Sequence, residues 1–166
     1  MKIPFTLITL IIVVFASCQN TKEDHHNDAK FPKRAGAVND FGDIYSAKEE
    51  KVLDSLSMEF EDQFDVELTI ISLDSTMTTL EGFNSYTLRL ANVWGVNKKE
   101  DKKVLIAISA PLQRVRINKG LAIQKELSGT HITEIMDVFM FPEFRKGDYF
   151  EGTRLGIEQL MKKLNK

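Results

Sequence analysis

The side chains of this chain that could do chemistry are few, and most of them are carboxylates. One cysteine, Cys18, occurs in the 166 residues. A thiol nucleophile, a disulfide or a zinc-thiolate site inside a folded domain is therefore excluded. The His25-His26 doublet lies in a polar, acidic stretch and reads as solvated, which leaves His131 as the remaining histidine. His131 stands beside an expected helix start, where a surface or capping role is usual. No Ser/His/Asp set, phosphate-cradling glycine loop or metal-type histidine spacing is visible. Any hydrolysis would have to rest on carboxylates and a bound ion that activates water.

Cys18 points to a different chemistry. Met1-Lys2 is a short cationic start, Phe5 to Phe15 an apolar run too short to span a bilayer comfortably, and Ala16-Ser17 are small residues directly before the cysteine. The arrangement resembles a bacterial lipobox, with Phe15 where an aliphatic residue is usual. The expectation is a signal peptide over 1–17, lipidation at Cys18 and a domain held to a bacterial membrane outside the cytoplasm, in the cell envelope. An ordinary secretory signal or an uncleaved anchor would export the domain as well. Residues 19–36 hold almost no apolar side chains and show no period, so 18–36 reads as a flexible tether and 37–166 as one domain. The chain's net charge of −2, about −3 once a leader containing Lys2 is removed, suggests no polyanionic partner. The expected partners are the membrane and an envelope protein, not nucleic acid.

The elements that must position any site follow from periodicity. Val52, Leu53, Leu56, Phe60 and Phe64 recur at helical spacing, and Ser46 with Glu49 forms a capping box, which predicts a helix over 47–64. Val66 to Leu73 reads as a strand, 80–94 as a second helix, and Lys103 to Ser109 as a strand covered on both faces. Strand, helix, strand implies parallel pairing with a right-handed crossover. The turn Ala110-Pro111-Leu112-Gln113 then leads into Arg114 to Asn118, an antiparallel edge strand. Apolar spacing predicts helices over 129–141 and 148–164. The expected fold is a three-layer α/β/α sandwich whose small mixed sheet is mostly parallel.

This topology brings the loop 95–102 and the segment 119–126 to one end of the sheet, making Glu100, Asp101 and Glu126 neighbours. Such loop carboxylates would suit calcium, which takes six to eight oxygens, better than magnesium. Lys98, Lys99, Lys102 and Lys103 crowd the same loop and oppose a cation. Arg114 and Arg116 project from one face of the edge strand and either contact an anion or protect that edge from pairing, and edge protection is favoured. Trp94 reads as a core plug. The cluster Phe139, Met140, Phe141, Phe144, Tyr149 and Phe150 seats the last two helices on the sheet, and any part left exposed would be a partner surface.

Val38-Asn39-Asp40, Trp94-Gly95-Val96, Asp101 to Ile108, Arg114-Val115-Arg116-Ile117 with Gly120, and Pro142 to Tyr149 with Gly152 together resemble a TPM domain over roughly 37 to 164. The resemblance implies an α/β/α sandwich on the outer side of a membrane. That family includes a plant thylakoid protein with acid phosphatase activity, and some members bind calcium. Asp40, Asp101 and Asp148 match its acidic positions, which adds Asp40 and Asp148 to the candidate ligands of a weakly held ion. Asp148 also suits the N-cap of the last helix. The chain departs from the family at Lys102-Lys103, at Gln113 in place of an arginine, and at Gln124 in place of a glutamate. Two functions remain open, a non-catalytic binding or accessory module with weak calcium binding and a metal-assisted phosphatase acting on phosphate monoesters.

Overall fold

Residues 31–96 and 100–165 are described by the computed structural model. In chain order the main elements are β1 (Val38–Asp40), α1 (Ala47–Phe64), β2 (Glu67–Ser72), α2 (Phe83–Val93), β3 (Lys103–Ser109), β4 (Arg114–Lys119), α3 (Gly129–Glu134), α4 (Phe141–Phe144) and α5 (Tyr149–Leu164). The two β-branched runs pair in parallel, with Glu67 opposite Lys103 and Ser72 opposite Ile108. The four-residue turn Ala110 to Gln113 returns the chain into β4, which pairs antiparallel with β3 and forms one edge of the sheet. The other edge is β1, parallel to β2, with Asp40 opposite Ser72.

The strand β1 has no counterpart among the expected elements. Three residues with one large apolar side chain carry no readable period, and β1 is held by its surroundings instead. The Asn39 side-chain amide donates to the carbonyls of Gly36 and Ile70, at 3.0 and 3.2 Å. Val38 N–H donates to Asp54 of α1 at 3.1 Å, so a side chain occupies a strand group that would otherwise invite another chain.

Helices cover both faces, as a sheet whose central strands are apolar on both sides requires. One face packs Leu68, Ile70, Val104, Ile106 and Ile108 against Leu53 and Phe60 of α1 and Ile157 and Leu160 of α5. The other packs Ile71, Leu73, Leu105 and Ala107 against Phe83, Tyr86 and Leu90 of α2. The first helix begins as its sequence predicts, with the Ser46 hydroxyl accepting from Glu49 N–H and the Glu49 carboxylate accepting from Ser46 N–H. Those hydrogen bonds hold the Glu49 carboxyl below its ordinary range.

Two boundaries differ from expectation. The packed unit begins at Phe31, not at 37. The Phe31 ring lies 5.1 Å from that of Tyr86, and Trp94 Nε1 donates to the Pro32 carbonyl at 3.0 Å. An isolated aromatic in a polar stretch gives no periodic signal, so composition alone does not mark Phe31 as part of the packed unit. The expected helix over 129–141 is also interrupted. After α3 the backbone widens into a π-helix over Ile135–Met140, and Phe141 N–H donates to Met136, five residues back. Pro142 follows directly and has no N–H for the carbonyl four residues before it. The chain continues directly as the short α4.

Candidate binding cleft

The register divides the five candidate metal ligands between opposite ends of the sheet. Glu100 and Asp101 lie where β2 and β3 begin, in a shallow depression of about 340 Å³ shared with Glu61, Asp65, Glu67, Lys102 and Lys103. The backbone closes tightly here, since a Cβ on Gly120 would meet the Asp101 carbonyl oxygen at 1.9 Å. Lys102 pairs with Asp65 at 2.8 Å, Lys103 with Glu67 at 3.1 Å, and Arg34 also pairs with Glu67. The hydrogen bond from Lys102, then its charge, holds the Asp65 carboxyl below the usual carboxylate range. Glu126 is exposed and does not line the depression. Its carbonyl faces His131 Nδ1 at 3.0 Å.

Asp40 and Asp148 lie at the far end, where β2 and β3 finish. The Asp40 carboxylate accepts from Ile44 N–H at 3.1 Å, from Tyr45 N–H at 2.9 Å and from the Ser72 hydroxyl. It fastens the turn that carries the chain from β1 to α1. Gly42 N–H donates to Ser72 Oγ at 2.7 Å and closes the same turn. Tyr45 is buried beneath it, with its hydroxyl 2.8 Å from Thr153 of α5, and burial pushes the phenol far above its ordinary range. Asp148 caps α5, accepting from Glu151 N–H at 2.9 Å. Among the described residues no three His, Cys, Asp or Glu side chains converge as a metal ion would need. Of the carboxylates around these positions, Asp65 and Glu67 are matched to lysines and arginine, and Asp40 and Asp148 accept from backbone N–H groups.

The same end of the sheet carries an aromatic cleft. Gln113, Phe141, Phe144, Arg145 and Tyr149 enclose about 200 Å³. Gln113 closes the turn after β3, its N–H donating to Ala110 at 3.1 Å, and its φ of 50° is one that L residues adopt at a cost of about 1–2 kcal/mol. Phe141, Phe144 and Arg145 are delivered by the restart of the helix after the π segment. Tyr149 opens α5, and its ring lies 5.1 Å from that of Phe144. Behind Phe144 stands Gly152, where a Cβ would meet the ring at 2.5 Å, so glycine at this position lets Phe144 form a wall of the cleft.

Charge at the cleft is set by Arg145. Neighbouring Lys146 is paired with Glu143 at 2.8 Å, and Arg154 with Glu151 and Glu158. Arg145 is exposed and has no acidic partner among the described residues. The expected anion contacts lie elsewhere, on the face of β4 turned toward α2. Arg116 donates to Asn118 at 3.0 Å and Asn84 at 3.3 Å, and Arg114 is exposed at the strand's start. The aromatic cluster was readable in sequence, but the parts played by Gln113 and Arg145 were not, because turn backbone and helix break place them.

A family model, the TPM domain, matches residues 38–163. The chain belongs to the TPM domain family. A solution structure of the N-terminal domain of a P. gingivalis protein is similar to this TPM domain, with 26% identity over 84% of this chain and 85% of that one and a TM-score of 0.69. The N-terminal domain of the cg2496 protein from Corynebacterium glutamicum covers 80% of this chain with 83% of its own, at 10% identity and a TM-score of 0.61, which is a likeness of fold. No match was found among curated proteins.

Proposed function

We propose that this TPM domain is a non-catalytic docking module of the bacterial cell envelope, tethered to the membrane through a lipidated Cys18. Cys18 lies outside the described residues, and the tethering rests on the short apolar run and small residues that precede it. The observation that carries the docking role is the cleft of Gln113, Phe141, Phe144, Arg145 and Tyr149. It lies beyond the carboxyl ends of the parallel strands, where open α/β sheets place their ligands. Three aromatic walls with one unpaired guanidinium match the composition of interface hot spots, in which Tyr and Arg are enriched.

Phosphate monoester hydrolysis finds less support. Asp40, opposite Ser72 at β2's end, already accepts three hydrogen bonds on its two oxygens. Its removal would loosen the turn it fastens. The docking role is tested by placing a photo-crosslinking residue at 145 in living cells, with the exposed α1 position 51 as control. A discrete protein adduct from 145 that is missing from 51 supports docking, and identical patterns from both positions refute it.

A further inference from the structure

We infer that the cleft receives the C-terminal residue of a partner polypeptide, with an apolar or aromatic side chain between the rings and the terminal carboxylate on Arg145. This rests on the docking role and adds the chemistry of what docks. The volume fits a small group. Pockets for cofactors and drug-sized molecules enclose about 300–1,000 Å³, whereas a cavity of about 150 Å³ holds one benzene ring. The cleft's 200 Å³ admits a single side chain.

Charge then selects what that side chain is attached to. The guanidinium of Arg145 is exposed, while Lys146 and Arg154 are quenched by their glutamates and Asp148 is engaged at the α5 cap. An unpaired arginine recognises carboxylate in bidentate fashion. Position distinguishes a chain end from an internal acidic residue. Phe144 and Arg145 both line the small cleft, so the group between the rings and the group that meets the cation must lie close together on the ligand. In an extended peptide, neighbouring side chains point to opposite faces, and an aspartate beside the entering residue would turn away. A terminal carboxylate is borne on the same Cα as the side chain that enters.

The test is calorimetric titration of the full chain in detergent with three synthetic peptides: acetyl-Gly-Gly-Gly-Phe as free acid, the same peptide as C-terminal amide, and acetyl-Gly-Gly-Gly-Gly as free acid. The phenylalanine acid should bind with a Kd below about 1 mM and the amide about 10-fold more weakly, with no binding of the glycine peptide. Arg145→Gln should weaken the acid by about the same 10-fold and leave the amide within about 2-fold, at an unchanged melting temperature. Equal affinity for acid and amide overturns carboxylate recognition while leaving the docking role intact. Binding of neither phenylalanine peptide overturns the inference, and the adduct at position 145 then decides the docking role separately. Arg145→Lys should recover part of the acid's affinity, and failure to do so counts against a charge contact.

Discussion

Gly152→Ala should destabilise the domain and disturb the cleft in one step. The added Cβ would lie 2.5 and 2.6 Å from Cε1 and Cδ1 of Phe144 and 2.9 Å from the Met140 carbonyl oxygen. Carbon pairs settle at about 3.5–4.0 Å, so the Phe144 ring must retreat by about 1 Å, toward the space it borders. The Met140 carbonyl ends the π segment and is backbone, so it cannot rotate away as a side chain would. Overpacking of this kind costs about 1–3 kcal/mol, here in the upper half of that range because the clash includes backbone, and about 1 kcal/mol is offset because alanine is a better helix former than glycine. The net loss of about 1–2 kcal/mol should lower the melting temperature by about 3–8 °C in a domain of this size. Gly129→Ala is the control, because a Cβ there meets nothing within 4 Å, and its melting temperature should hold or rise slightly. Calorimetry of both variants decides the matter. A Gly152→Ala protein that melts at or above wild type would refute the packing argument.

Three further outcomes are expected. Tyr45 keeps its proton to higher pH folded than unfolded, so above about pH 10 the unfolded state binds fewer protons and stability falls by up to about 1.4 kcal/mol per pH unit. Tyr45→Phe should remove that part of the alkaline loss, measured by urea unfolding at pH 9 and pH 11, and an identical loss in both proteins would contradict it. Calcium should bind no tighter than about 10⁻³ M, since Lys102, Lys103 and Arg34 already match the carboxylates around Asp101, and a micromolar Kd by calorimetry would overturn this. Labelled palmitate should enter the wild-type protein and not Cys18→Ala, and equal labelling would place the lipid elsewhere or nowhere.

The parts of the fold legible in sequence are those where local chemistry and tertiary packing agree. Ser46 and Glu49 announced the start of α1, Gly147-Asp148 that of α5, and the apolar run from Val104 to Ile108 a strand buried on both faces. The parts that were not legible depend on distant partners. β1 exists because Asn39 and Asp54 reach β2 and the chain's own backbone, and Phe31 counts as core only once Tyr86 is opposite it. Pro142 was visible, but the π segment before it shifts Phe141, Phe144 and Arg145 in a way that helical spacing does not express.

The candidate site shows the same division. Connectivity brought Asp101 and Gly120 to one end of the sheet and Asp40 to the other, as strand order dictates. Which carboxylates stay available depends on side-chain reach, and backbone N–H groups had first claim on Asp40 and Asp148. The cleft required one more level. Gln113 points there from a turn residue with positive φ, and Arg145 from a helix restarted after its break.

Shift mapping of the isotope-labelled full chain with acetyl-Gly-Gly-Gly-Phe bears most directly on the claim that the cleft receives a C-terminal residue. Backbone amide shifts confined to 110–114 and 141–149 are the predicted result, because those segments line the cleft. Shifts centred instead on 61–67 and 100–103, or none at millimolar peptide, would contradict it.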